Sequence, residues 1–272
     1  MNEARCTEDG IVYDAMNFSR QYPNDLGWKR RLLQCPECGA PAFFRNASPN
    51  GRVPCFGARP HVLGCNLAAY DHERYGRNVG DQERVEARSG GKIVVDLRYG
   101  APENRFDGNP VSNFLAPTHS GGTGGRGFQP NAPTSCRPQS LLRSLVSSPD
   151  FCMSDWPLEV HGLSGISVRD FFIPLPAVTA QYDGQLRGFW GMLTDVREDF
   201  RGTLWLNGGG RNNISFCLDA RFLDQLHSRF RINSYEDLAG AYILVVGKLR
   251  ASYSKEIYCV IDELECMALQ FE

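Results

Sequence analysis

The chain has 272 residues, of which 42% are hydrophobic and 22% charged, as is typical of a globular protein with one large domain or two smaller ones. It has no run of about 18 or more apolar residues, and its polar N-terminus lacks the apolar segment of a secretory signal, so we expect a cytoplasmic protein that does not span a membrane. The net charge of −2 excludes a protein that coats nucleic acid by bulk positive charge, and a reducing compartment makes disulfides a poor explanation for the ten cysteines.

The first element along the chain is a cysteine knuckle, the sequence CPECG at residues 35–39. Two thiolates three residues apart on a tight turn can reach one metal ion, and the glycine allows the left-handed backbone of such a turn. Two further ligands of a tetrahedral zinc site are expected from the later sequence CFGARPHVLGC at residues 55–65. The predicted ligands are Cys35, Cys38, His61 and Cys65, with Cys55 as the alternative to either of the last two.

The predicted zinc ion is interpreted as structural. A catalytic zinc needs an open coordination position and a neighbouring acid, and neither an HExxH nor an HxE motif occurs. Between the two ligand pairs, Phe43 and Phe44 precede the turn sequence SPNG, which predicts a small hairpin. A knuckle, a hairpin and a later ligand pair resemble treble-clef or ribbon-like zinc fingers, including those of DNA-processing proteins, over about 35 residues. The resemblance implies a nucleic-acid partner.

The segment 20–65 is the basic part of the chain, with seven arginines and lysines against two acidic residues. Arginines on a small rigid finger suit contact with phosphate groups. Ordinary solvated surface charge is the alternative interpretation. The three arginines around the metal motif are Arg45, Arg52 and Arg59.

The middle of the chain, residues 76–180, is rich in Gly, Pro, Ser and Asn, and is predicted to be an irregular, partly flexible linker. A short helix is expected near residues 139–147, where leucine and valine recur with helical spacing before Pro149. The predicted domains are therefore a zinc-finger domain at 1–75, this linker, and a barrel at 181–272.

The C-terminal stretch is the most regular part of the sequence. It predicts three strands, a helix capped by Asp219, and two longer strands. This order resembles the OB-fold, a five-stranded barrel with a helix between strands 3 and 4, over about 85 residues. The predicted strands cover residues 188–198, 202–208, 213–219, 241–250 and 255–269.

Alternation along these strands predicts that Leu204 and Leu206 point into the barrel and Trp205 points outward. The resemblance implies ligand binding across the second and third strands and between two of the loops. Aromatic rings there stack on bases and cations contact the backbone, so nucleic acid, in particular single-stranded DNA, is the predicted partner. The predicted contact residues are Arg201, Trp205, Arg211, Lys248, Arg250, Tyr253, Lys255 and Tyr258.

A second interpretation stays open, because from residue 187 onward ten cationic residues are set against twelve acidic ones. In this alternative the chain is a protein-binding adaptor of a larger DNA-processing or defence complex, since an outward tryptophan also anchors protein contacts. No nucleotide-binding or hydrolase motif occurs, and a nuclease built around His72 is a third interpretation. The sequence thus favours a non-enzymatic, α+β and mostly β protein with a zinc finger, a linker and an OB-like barrel.

Overall fold

The fold is a mixed α/β structure with few helices and a closed five-stranded barrel. Among the described residues, apolar side chains form three cores, one in the N-terminal module, one in the barrel and one between the barrel and the middle of the chain. No helix in the described part of the chain is both long and apolar enough to cross a bilayer. The computed structural model describes residues 1–48, 51–68, 92–97, 134–160, 163–210, 214–252 and 256–271.

The N-terminal module consists of two small sheets and two short helices. In chain order its elements are β1 (Glu3–Cys6), β2 (Val12–Asp14), α1 (Ala15–Ser19), α2 (Pro23–Lys29), β3 (Leu33–Gln34), β4 (Ala42–Arg45) and β5 (Cys55–Ala58). Strands β2, β1 and β3 form one antiparallel sheet in that order, and β4 and β5 form a hairpin. The rings of Phe18, Phe44 and Phe56 meet in its core with centroids 5.0 to 5.3 Å apart. This cluster of aromatic rings ties helix α1 to the hairpin.

The described residues between 92 and 171 form a four-stranded sheet with helices beside it. The elements are β6 (Ile93–Val95), β7 (Thr134–Cys136), α3 (Pro138–Ser147), α4 (Pro149–Cys152), β8 (Pro157–Val160), β9 (Leu163–Ser167) and α5 (Val168–Phe171). The sheet has the order β7–β6–β8–β9, and β6 runs parallel to both of its neighbours. The sequence predicts a linker here with one helix near 139–147, where α3 lies. The stretches 69–91 and 98–133, and with them His72 and most of the predicted flexible segment, lie outside the described residues.

The barrel is closed by five strands in the order β11–β12–β13–β15–β14, with β14 returning to β11. The C-terminal elements are β10 (Phe172–Pro174), β11 (Leu186–Glu198), β12 (Leu204–Gly208), β13 (Ser215–Leu218), α6 (Leu223–Phe230), β14 (Tyr242–Ala251), β15 (Ile257–Ile261) and β16 (Met267–Gln270). Strands β13 and β15 are parallel, and the other four pairs are antiparallel. Helix α6 lies between the third and fourth barrel strands. The prediction of an OB-like barrel is confirmed.

The barrel interior follows the predicted alternation. Leu204 and Leu206 are fully buried in the core, whereas Trp205 between them lies on the outer face. In β14, Val245 points into the barrel and Val246 points outward, into the core shared with α3. The predicted last strand at 255–269 is instead two strands, because the chain turns at Leu264–Cys266 and β16 then pairs with β14.

The N-terminal module is seated on the barrel through the ring of Phe43. A Cβ atom added to Gly57 in the hairpin, or to Gly240 just before β14, would overlap this ring. Gly240 also has a φ of +85°, in the left-handed region that glycine adopts readily. Two glycines thus create the slot that the phenylalanine fills.

We expect Gly240→Ala to destabilise the protein by about 1–3 kcal/mol, because it adds a clash with Phe43 to the strain of a positive φ. The measurement is the free energy of urea unfolding. Gly10→Ala is the matched control, since Gly10 has a φ of +73° but an added Cβ there would meet no atom within 4 Å. Equal losses in the two variants would show that the seat of Phe43 contributes nothing.

Candidate metal centre and binding face

The predicted zinc ligands come together at one point in the N-terminal module. The four ligand atoms of Cys35, Cys38, His61 and Cys65 all lie within 4.8 Å of one another. Cys35 Sγ is 3.8 Å from Cys65 Sγ, and Cys38 Sγ is 3.4 Å from His61 Nδ1. Zinc–sulfur bonds of about 2.3 Å in a tetrahedron place two sulfurs about 3.8 Å apart, so these distances fit a single ion. The four residues are positioned to bind a metal ion, consistent with zinc.

Local backbone chemistry shapes the two halves of the centre. The Gly39 N–H donates to Cys35 O at 3.0 Å, and this hydrogen bond closes the knuckle. Gly39 has a φ of +72°, the left-handed backbone that the CPECG sequence predicts. In the second half, Cys65 N donates to Val62 O at 3.1 Å. Backbone N–H groups, first that of Val62, hydrogen-bond the Cys38 thiolate and lower its pKa to about 6. The amide with the largest effect on this thiolate, that of Val62, thus comes from the opposite half.

A side-chain clasp joins the same two halves without the metal. Glu37 Oε1 accepts hydrogen bonds from Asn66 N at 3.0 Å and from Asn66 Nδ2 at 2.7 Å. Cys55, the alternative ligand, lies instead on β5 opposite Arg45 and does not belong to the group of four. The structure therefore favours the first-choice ligand set.

The three arginines predicted to contact phosphate are turned toward the barrel. Arg45 Nε donates to Ala239 O at 2.8 Å, and Arg59 Nη1 donates to Gly240 O at 3.4 Å. Arg52 Nη1 pairs with Asp237 Oδ1 at 2.7 Å. All three contact the segment 235–240 that precedes β14. Each has an intramolecular partner, and contact with nucleic acid stays a prediction for them.

Two further arginines, Arg30 and Arg31, extend this interface onto the outer face of the barrel. Arg30 Nε lies 3.3 Å from Asp195 Oδ1, and Arg30 Nη1 donates to Glu236 Oε1 at 2.9 Å. Arg31 Nη2 donates to Ser215 Oγ at 3.2 Å. Sequence reasoning assigned no role to either, because a run of cations beside apolar residues carries no signal of burial.

Burial dominates the electrostatics of this contact. Asp195 has a raised pKa because it is removed from water, although Arg30 and then Arg31 act in the opposite direction. Its second oxygen accepts a hydrogen bond from Asn207 Nδ2 at 3.1 Å. The network occupies the outer face of β11, β12 and β13 next to the module.

The rest of this outer face carries aromatic and cationic side chains, and we call Arg197, Trp205, Tyr258 and Arg250 the stacking face. The rings of Trp205 and Tyr258 meet edge to face, with centroids 6.4 Å apart. Arg197 is the cross-strand partner of Trp205, and Arg250 is that of Tyr258. Trp205 Nε1 donates to Asp199 Oδ2 at 3.0 Å. Sequence reasoning placed three of the four here and missed Arg197.

The remaining predicted contact residues are less tightly grouped. Lys248 is exposed on the outer side of β14, and Arg201 lies 5.2 Å from the ring centroid of Phe200 in the loop between β11 and β12. The other three lie outside the described residues: Arg211, Tyr253 and Lys255.

Comparison of the chain with protein-family models and with curated proteins finds no match. The barrel and the candidate metal site are compatible with nucleic-acid binding.

Proposed function

We propose that this chain binds single-stranded nucleic acid, with DNA as the expected form, on the outer face of its barrel. The observation that carries the proposal is the edge-to-face approach of the Trp205 and Tyr258 rings on that face, from β12 and β15 on either side of β13, each beside an exposed arginine. Aromatic faces stack on bases of any sequence, and adjacent guanidinium groups contact the phosphates between them. The protein acts by binding and carries out no chemistry.

The orientation of Trp205 supports a stacking role. Its indole N–H, at the edge of the ring, donates to the Asp199 carboxylate. This hydrogen bond fixes the orientation of the ring and does not involve its π faces. Arg197 and Arg250 are both exposed on the two sides of the aromatic pair. A fixed ring costs less conformational entropy on binding than a mobile one.

The N-terminal module has a structural role in this proposal. A Cys3His set fills a tetrahedral zinc shell and leaves no position for substrate, so the ion supplies folding energy alone. Other side chains of the module hold it on the barrel: Phe43, and the arginines that bond to residues 235–240. The proposed interface therefore omits Arg45, Arg52 and Arg59.

The test is fluorescence anisotropy of the full chain with a labelled oligothymidine at about 50 mM and about 200 mM salt. We expect binding that weakens with salt, because phosphate contacts release counterions. Trp205→Ala is expected to weaken binding about 5–150-fold, the equivalent of one stacked base at about 1–3 kcal/mol.

The matched control is Trp28→Ala, which removes a half-exposed tryptophan from the N-terminal module rather than from the barrel. It should leave the affinity unchanged. If the two variants bind equally well, the stacking face is not the interface, and if the full chain with its metal binds no oligonucleotide at low salt, the proposal is wrong.

A protein-binding adaptor is the second candidate, favoured by the apolar side chains at the surface of the N-terminal module. Ile11, Met16 and Tyr22 are 50%, 48% and 80% exposed on or beside β2, α1 and α2. An exposed tyrosine such as Tyr22 is a common anchor of protein contacts. This candidate gains if Tyr22→Ala abolishes co-purification of a partner while oligonucleotides fail to bind.

A further inference from the structure

A cleft of mixed polar and apolar lining separates the N-terminal module from the barrel. Its volume is about 490 Å³, within the range of about 300–1,000 Å³ that small-molecule sites occupy. Helix α2 and the segment before it form one wall, and β11 forms the other. The polar side chains of interest along it are Gln21, Asn24, Arg30, Asn46, Asp195 and Arg197.

The cleft is continuous with the stacking face, because Arg197 belongs to both. Its side chain lines the cleft, and its cross-strand partner on β12 is Trp205. Neighbouring strands are about 4.8 Å apart, which is less than the length of one nucleotide step in an extended strand. A nucleic-acid strand stacked on Trp205 thus lies at the mouth of the cleft.

The charged side chains at the floor of the cleft are already paired with one another. Arg30 is paired with Asp195 and Glu236, and Asp195 also accepts from Asn207. A phosphate would compete with these acidic partners for the guanidinium and lose. The floor therefore suits a neutral group with a polar edge.

The module wall supplies the matching chemistry. Asn24 carries an exposed amide, which offers both donors and an acceptor to the polar edge of a base. Asn46 adds the Nδ2 donor of its amide, since its Oδ1 accepts a hydrogen bond from Ala47 N at 2.9 Å. Gln21 lines the same wall with its Nε2 buried. Leu26 on the same wall offers an apolar contact to the flat face of the base. The exposed guanidinium of Arg197 remains for the adjacent phosphate.

From these observations we infer that the cleft takes one unstacked nucleobase of the bound strand, next to the base that stacks on Trp205. The inference rests on the proposed function. It gives the N-terminal module a part in recognition, because the amides come from the module while the stacking ring comes from the barrel. Any base preference of the protein then resides in the module wall.

The experiment uses the full chain and a set of short oligonucleotides in which one abasic site is moved through every position. We expect two positions at which loss of the base weakens binding about 5–10-fold, one for stacking and one for the amide contacts. Trp205→Ala should abolish the effect at the first position only. Asn24→Ala, which removes an exposed amide from the cleft, should abolish it at the second.

The control is Asn2→Ala, an exposed asparagine of the same module outside the cleft, and both sensitive positions should persist in it. If only one position is sensitive, and it disappears in Trp205→Ala, the cleft inference is overturned while the proposed function stands. If the wild-type chain binds none of the oligonucleotides, both are overturned. Two sensitive positions that Asn24→Ala leaves unchanged would also reject the cleft.

Discussion

Replacing Cys38 by serine is expected to abolish stoichiometric metal binding and to unfold the N-terminal module while the barrel stays folded. Structural zinc supplies an apparent free energy of about 10–16 kcal/mol in small finger domains at neutral pH. The module core contains three phenylalanines, two leucines and otherwise alanine and cysteine, about half as many buried residues as the barrel core. Loss of the ion therefore exceeds what the module's own packing can replace.

Metal content by elemental analysis and amide hydrogen exchange over residues 3–58 are the measurements. The matched control is Cys55→Ser, which removes a cysteine of the same module that lies outside the group of four. It should keep the metal and the exchange protection. A Cys38→Ser protein with a full metal complement, or a Cys55→Ser protein without metal, would contradict the assigned ligand set.

Arg30→Ala is expected to cost about 3–5 kcal/mol in the free energy of unfolding, the loss typical of breaking one half of a buried ion pair. Arg30 is 7% exposed and its partner Asp195 is 1% exposed. Without the guanidinium, the Asp195 carboxylate stays buried and keeps the hydrogen bond from Asn207 Nδ2. Arg5→Ala, at an exposed position, is the control and should change stability by less than about 0.5 kcal/mol.

The pH dependence of this loss identifies its cause. Burial already raises the pKa of Asp195, and removing Arg30 raises it further. A folded-state pKa above that of the unfolded chain means that stability falls as pH rises between the two values, because the folded state holds the proton longer. Urea unfolding should therefore show a smaller defect at about pH 5 than at about pH 8. Adding Asp195→Asn to Arg30→Ala should recover part of the loss in unfolding free energy. A loss that changes neither with pH nor with this second substitution would show that packing, and not the buried charge, is its cause.

The parts of the protein that sequence reasoning predicted are those set by local patterns. The spacing within each candidate ligand pair, 35–38 and 61–65, lets both of its members reach one metal ion, and the structure brings the two pairs together. Barrel faces follow from strict alternation, which placed Trp205 outside and its neighbours Leu204 and Leu206 inside.

What escaped prediction depends on contacts between distant segments. Strands β6 and β7 have three residues each and pair in parallel across a long insertion, so neither carries a recognisable strand pattern. Arg45 and Arg250 look alike in the sequence, yet one bonds to a backbone carbonyl of the barrel and the other lies exposed beside Tyr258. Charge counts give the number of cations and not their partners.

The docking of the module on residues 235–240 has a consequence for biosynthesis. Arg45 and the Asp237 carbonyl it contacts are 192 residues apart. At about 5–20 residues per second, the ribosome delivers the docking segment roughly 10–40 seconds after the metal ligands have emerged. The four candidate metal ligands at 35–65 are all present early, so they are available to a metal ion before the barrel is made. During that interval Phe43 has Gly57 beside it but not Gly240, and the three arginines have no partners in the segment 235–240. These side chains are therefore open to non-native contacts until the barrel is made.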